Sequence, residues 1–120
     1  MKSIKQVSFL IVLATMVLFT PLDSSAQYYY NGNDLVKMMR EYDKSETGDS
    51  NANYYDCGRY EGYVAGVSDA KRAFFGSPEN VTVGQTCSIV AKYLKEHPEK
   101  WNQPADILVI EALQKAFPKR

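Results

Sequence analysis

The chain has 120 residues, 45% of them hydrophobic and 23% charged, with seven Gly and five Pro. These proportions exclude a collagen-like or disordered chain and fit one domain. The fourteen basic residues balance fourteen acidic ones, so the basic excess of a nucleic-acid binder is missing and no nucleic-acid partner is expected.

The first segment reads as a leader. Lys2 and Lys5 precede a predominantly apolar run of 13 residues from Val7 to Phe19, and Ser24-Ser25-Ala26 supplies the small residues that a signal peptidase reads. The run is shorter than the roughly 20 residues a membrane span needs. The expectation is therefore a signal peptide over 1–26 cleaved near Ala26, and an exported domain over 27–120 that does not insert in a membrane. That domain carries twelve basic and thirteen acidic residues. Its two cysteines, Cys57 and Cys87, would enter an oxidising compartment, where such a pair in a small domain is expected to form a disulfide. Closing that loop would add about 3–4 kcal/mol by chain entropy.

Tyr28–Tyr30 are expected to form a mobile N-terminus. Strand signals are nearly absent beyond them, and four segments carry apolar residues at helical spacing. The first is expected to start after an N-cap at Asn33, place Leu35, Val36, Met38, Met39 and Tyr42 on one side, and end near Lys44. A polar stretch from Asp43 to Asn53 reads as a loop. The second helix is predicted over Tyr54–Phe75, with Tyr60, Val64, Val67 and Phe74 buried. Gly58, Gly62 and Gly66 fall on one of its faces. Each costs about 1 kcal/mol against Ala in a helix, so the expectation is that another backbone packs tightly there.

The third helix opens at Thr82, which forms a capping box with Gln85, and its inner stripe is Val83, Cys87, Val90 and Leu94. His97-Pro98 ends it. Pro104 fits the first turn of a fourth helix. That helix, from Ala105 to Phe117, is apolar around most of its circumference and is expected to lie at the centre of an all-α, four-helix domain.

Catalytic chemistry is sparse. The single histidine, His97, sits where it would serve the end of a helix, and disulfide-bonded cysteines would leave no thiolate. Asp43, Ser45, Thr47, Gly48, Asp49 and Asn51 follow the spacing of a calcium loop, but Tyr54 stands where that loop needs a bidentate Glu. No catalytic, metal or cofactor site is expected, and the chain is not read as an enzyme. The segment Phe75-Gly76-Ser77-Pro78-Glu79-Asn80 joins two helices. Phe75, Ser77, Pro78, Glu79 and Asn80 are therefore the candidate partner-binding residues, with Phe75 as apolar anchor and Glu79 as acceptor. A nearly all-round apolar fourth helix, together with Tyr63, Tyr93 and Trp101 as exposed aromatics, suggests a homodimer.

An ordered set of motifs carries a resemblance. It comprises Cys57-Gly58-Arg59-Tyr60-Glu61-Gly62-Tyr63-Val64-Ala65-Gly66-Val67-Ser68-Asp69-Ala70, Val81-Thr82-Val83-Gly84-Gln85, Lys92-Tyr93-Leu94, His97-Pro98-Glu99, Pro104-Ala105, Glu111-Ala112-Leu113 and Ala116-Phe117-Pro118. With Asn33-Asp34-Leu35 ahead of them, these span Gly32 to Pro118 and resemble the Tai/Rap family of immunity proteins. The resemblance implies a small, dimeric, all-helical periplasmic protein. Its partner would be a peptidoglycan amidase effector of type VI secretion, whose active site it would occlude. Where that family usually has cysteine, this chain has Met38 or Met39, Phe75 and Lys119, so the family's disulfide pairing is not carried over. The alternatives from sequence are a small acid-activated periplasmic chaperone and an envelope protein that keeps the fold without an effector.

Overall fold

A computed structural model describes residues 4–6, 28–76 and 79–120. Most of the expected leader, its cleavage point, and Ser77 and Pro78 lie outside the described residues. From Tyr28 onward the described chain is all-α: α1 (Gly32–Glu46), α2 (Tyr54–Ala70), α3 (Val83–Glu96) and α4 (Ala105–Ala116). Two single 3-10 turns, Arg72–Phe74 and Pro98–Lys100, follow α2 and α3.

Local chemistry sets the helix ends. The N-cap of α1 is Asn31, not Asn33. Its side chain accepts from the Asp34 amide at 3.1 Å, and the Asp34 carboxylate accepts from the Asn31 amide at 3.1 Å. That reciprocal pair satisfies two amides that a helix start otherwise leaves open. At the other end, α1 runs past Lys44 to Glu46. Asn53 caps α2 by accepting from Tyr55 and Asp56. Thr82 and Gln85 form the capping box expected at α3, His97 ends that helix, and Pro104 stands just ahead of α4. The second helix stops at Ala70, short of the expected Phe75, because the chain tightens into the 3-10 turn.

The core forms where the four helices meet. Leu35, Met39, Tyr60, Val64, Val90, Leu94, Leu108, Val109 and Leu113 are fully or almost fully buried. The fourth helix does not take the central place its composition suggests: α2 lies against all three other helices most extensively, while α4 buries Ala105, Leu108, Val109, Ile110, Ala112 and Leu113 and leaves Ile107 exposed. Along α3 the stripe Cys87, Val90 and Leu94 is buried, while Val83 at its first position is 51% exposed. Tyr60 crosses between helices and donates from its hydroxyl to the Cys87 carbonyl at 2.8 Å, which pairs the only polar atom of a wholly buried ring.

A backbone clamp joins the start of the domain to its last connection. Gly32 N donates to Gln103 O at 2.9 Å, Asn33 N to Trp101 O at 2.8 Å, and Ala105 N to Tyr30 O at 2.9 Å. The approach is so close that a Cβ on Gly32 would stand 2.6 Å from both Trp101 Cα and Trp101 O. Tyr30 is consequently fixed. Its ring meets Tyr63 edge-on at 5.5 Å and its hydroxyl accepts from Arg59 at 2.8 Å. The mobile N-terminus expected of Tyr28–Tyr30 does not hold for this residue.

Three further expectations are corrected. Gly58, Gly62 and Gly66 do share a face of α2, but a Cβ built on any of them meets nothing within 4 Å. No backbone among the described residues packs there. Cys57 and Cys87 are both free thiols. Cys87 belongs to the core cluster, whereas Cys57 is buried outside it, so the two side chains turn to different surroundings and the disulfide is not formed. Tyr93 is buried, and Tyr63 and Trp101 pack half-buried against the core. The exposed tyrosines of α2 are instead Tyr54 and Tyr55, at 68% and 74%.

Candidate functional site

The residues after α2 build a surface cavity that involves the described part of the expected partner loop. Phe74 and Phe75 are adjacent, and the 3-10 turn sends them in opposite directions. Phe75 is 8% exposed and joins the core, while Phe74 is 53% exposed. Phe75 is thus a floor and not the outward anchor the sequence suggested; Phe74 takes the outward place, with the Lys71 ammonium 5.6 Å from its ring centre. The turn is held from α4: Gln114 Nε2 donates to Phe74 O at 3.0 Å, and Gly76 N donates to Phe117 O at 2.7 Å. A Cβ on Gly76 would come within 2.8 Å of Pro118 O, so this close approach requires glycine.

Between the end of α2, this turn and the start of α3 lies an open cavity of about 570 Å³. Buried Phe75 and Leu113, with half-buried Ala65, Val81 and Phe117, give it an apolar lining; exposed Asp69, Arg72, Glu79 and Asn80 ring it. Arg72 pairs with Asp69 at 2.7 Å, both side chains largely in solvent, where such a pair is worth little. Glu79 forms no ion pair with any described residue. Asn80 has φ +67°, a left-handed conformation that Asn tolerates better than most residues. Of the five candidate residues, the structure therefore brings Phe75, Glu79 and Asn80 to one cavity, and Ser77 and Pro78 lie outside the described residues. Sequence reading missed Asp69, Arg72, Phe74 and Val83. The signal for Phe74 was present in the paired phenylalanines, but only the tight turn decides which of the two faces out.

Elsewhere the polar groups are engaged in structure. Lys100 reaches Glu111 at 2.8 Å and the Tyr93 hydroxyl at 3.1 Å, while Tyr93 donates to Glu111 at 2.6 Å. The bonds to Glu111 and Tyr93 hold the Lys100 ammonium above the usual lysine range. His97 Nδ1 lies 3.0 Å from Glu99, and its ring centre is 4.3 Å from that of Tyr93. Burial pushes the Cys87 thiol up to about 12, with the Glu61 and Glu46 carboxylates adding to the shift. In the former calcium-loop stretch, Asp43 pairs with Lys95 at 2.6 Å, and Asp49 accepts from the Asn51 amide at 2.9 Å. Among the described residues no group of three or more His, Cys, Asp or Glu side chains is placed to hold a metal.

Residues 31–118 match the family described as Rap1a immunity proteins. The curated proteins contain no match. The matched span begins at the Asn31 cap of α1 and ends beside the Phe117 carbonyl that holds Gly76, so it contains the whole helical domain together with the cavity.

Proposed function

Because the chain belongs to the Rap1a immunity protein family, a family that implies binding of a secreted effector, we propose that its partner is a peptidoglycan amidase delivered by type VI secretion. In this reading the protein is exported to the periplasm, works as a homodimer, and covers the amidase active site without performing chemistry of its own. The observation that carries the proposal is the family match across the entire helical domain. The leader-like pattern of Lys2, Lys5, Val7–Phe19 and Ala26 supports export.

The contact is assigned to Phe74, Glu79 and the cavity beside them. A blocking surface binds best when it is already ordered, because every segment frozen on association subtracts from affinity. Here the turn carrying Phe74 is tied to α4 through Gln114 and Gly76 before any partner arrives. Phe74 offers the exposed aromatic surface typical of an interface anchor. A non-catalytic role fits the side chains that would otherwise attract attention: the Cys87 thiol is buried and weakly acidic, and His97 is engaged by Glu99 and Tyr93. The dimer would draw on surface the fold leaves unused, including exposed Tyr54 and Tyr55.

The test is reconstitution with type VI secretion peptidoglycan amidases, beginning with any that is encoded beside this gene. Purified protein should block cleavage of peptidoglycan stems by one of them at stoichiometric ratio, and Phe74→Ala should weaken binding by the ~2 kcal/mol of an interface hot spot. If the protein leaves all of them fully active, the proposal fails.

A further inference from the structure

We infer that the cavity between α2 and α3 is a socket for a lysine or arginine side chain presented by the partner protein. The inference rests on the proposed function only in naming that partner as the source of the side chain.

Two features converge on a long apolar stem ending in a positive charge. The first is the lining: Phe75, Leu113 and Phe117 give apolar walls, while the rim is polar. A lysine or arginine stem covers such a surface and keeps its charged head in water. The second is the charge at the mouth. Among the described residues that line it, Asp69 and Glu79 contribute two carboxylates against the cation of Arg72; Arg72 pairs with Asp69, so the Glu79 carboxylate is left for an incoming cation.

The helix ends flanking the cavity add nothing to this charge. Lys71 caps α2 and Arg72 follows it, so cations already stand at its carbonyl end. The start of α3 is closed, because Thr82 and Gln85 cap each other's amides at 3.2 and 2.8 Å.

Isotope-labelled full-length protein, taken as it is exported, should be titrated with three blocked amino acids at matched ionic strength: N-acetyl-lysine methylamide, the norleucine analogue with the same stem and no charge, and the glutamate analogue. Saturable shifts are expected at Ala65, Ser68, Leu113 and Phe117 with the lysine compound. They should be about three- to fivefold stronger than with norleucine, the factor an exposed ion pair supplies. Glu79→Gln should bring lysine down to the norleucine level while leaving the circular dichroism spectrum unchanged. Equal binding of lysine and norleucine, preference for glutamate, or no saturable shift with any probe would each overturn the inference. Amidase inhibition measured in parallel separates the two readings. Inhibition that persists without lysine binding removes the socket alone, whereas lost inhibition with lysine binding intact removes the proposed function.

Discussion

Replacing glycine by alanine should have opposite signs at two places in this domain. At Gly58, Gly62 and Gly66 the added methyl group meets nothing within 4 Å, so the substitution removes backbone freedom from the unfolded chain without a steric cost. Each exchange is worth about 0.8–1 kcal/mol in a helix interior, and the triple variant should gain about 2–3 kcal/mol. For a domain of this size that raises the thermal midpoint by about 10–20 °C. At Gly32 the same methyl group would lie 2.6 Å from the Trp101 backbone and from Leu108 Cδ1. The Trp101 and Gln103 carbonyls also hold the Gly32 and Asn33 amides, so the backbone cannot retreat without breaking the clamp. Overpacking of this kind costs about 1–3 kcal/mol. Urea unfolding followed by circular dichroism, with the slope compared across variants, measures both effects. A triple variant less stable than the parent would refute the open face. If that loss grew with protein concentration, the occupant would be a second copy of the chain.

Acid should weaken the tie between the α3–α4 connection and α4. Burial alone would raise the Glu111 carboxyl, but hydrogen bonds from Lys100 and Tyr93, with the Lys100 charge, outweigh it and leave the group below its usual value. A depressed carboxyl contributes stability that is present above its unfolded pKa of about 4.3 and is lost as pH falls through the folded value. Glu111→Gln should therefore flatten the acid limb of a stability–pH curve; an unchanged limb would assign it to other carboxylates. Unfolded, unreduced protein should bind two equivalents of iodoacetamide, as both cysteines are free, and in the native state Cys87 should stay unlabelled; mass spectrometry decides both points. Tyr60→Phe removes the donor to the Cys87 carbonyl and should cost about 0.5–1.5 kcal/mol in urea titration. No loss would mean that water replaces the bond.

What could be read from the sequence, and what could not, divides along the range of the interactions involved. The Thr82–Gln85 box is local chemistry over three residues, and it forms as written. Asn31 and Asn33 are equally good caps taken singly; the choice fell to Asp34, which reaches back to Asn31, and to the carbonyls of Trp101 and Gln103 far along the chain. Apolar composition located the helix α4 and its buried side, but not its place among the others, because an apolar side chain such as Ile107 can also face solvent. The same logic could not say what faces the α2 glycines, since four-residue spacing puts them on one face whether it meets a backbone or solvent. Cysteine pairing failed for a related reason: two thiols in a small domain say nothing about whether their Cβ vectors converge. In the partner loop, Glu79 and Asn80 were legible as exposed, while Phe75 was exchanged for Phe74 by a single turn of 3-10 helix.

The clamp at Gly32 also bears on the order of events in folding. The Asn33 amide side chain reaches the Trp101 carbonyl at 3.1 Å across a separation of 68 residues, so the first turn of α1 cannot be clamped until most of the domain has been made. Contacts of such long range carry the largest loop-closure cost and tend to form late. A nascent chain halted before Trp101 could already lay α1 on α2, where Tyr42 meets Tyr60 with ring centres 5.1 Å apart, but the first turn of α1 would lack the carbonyls that hold it. C-terminal truncation is therefore expected to appear as a defect at the N-terminal end of the domain.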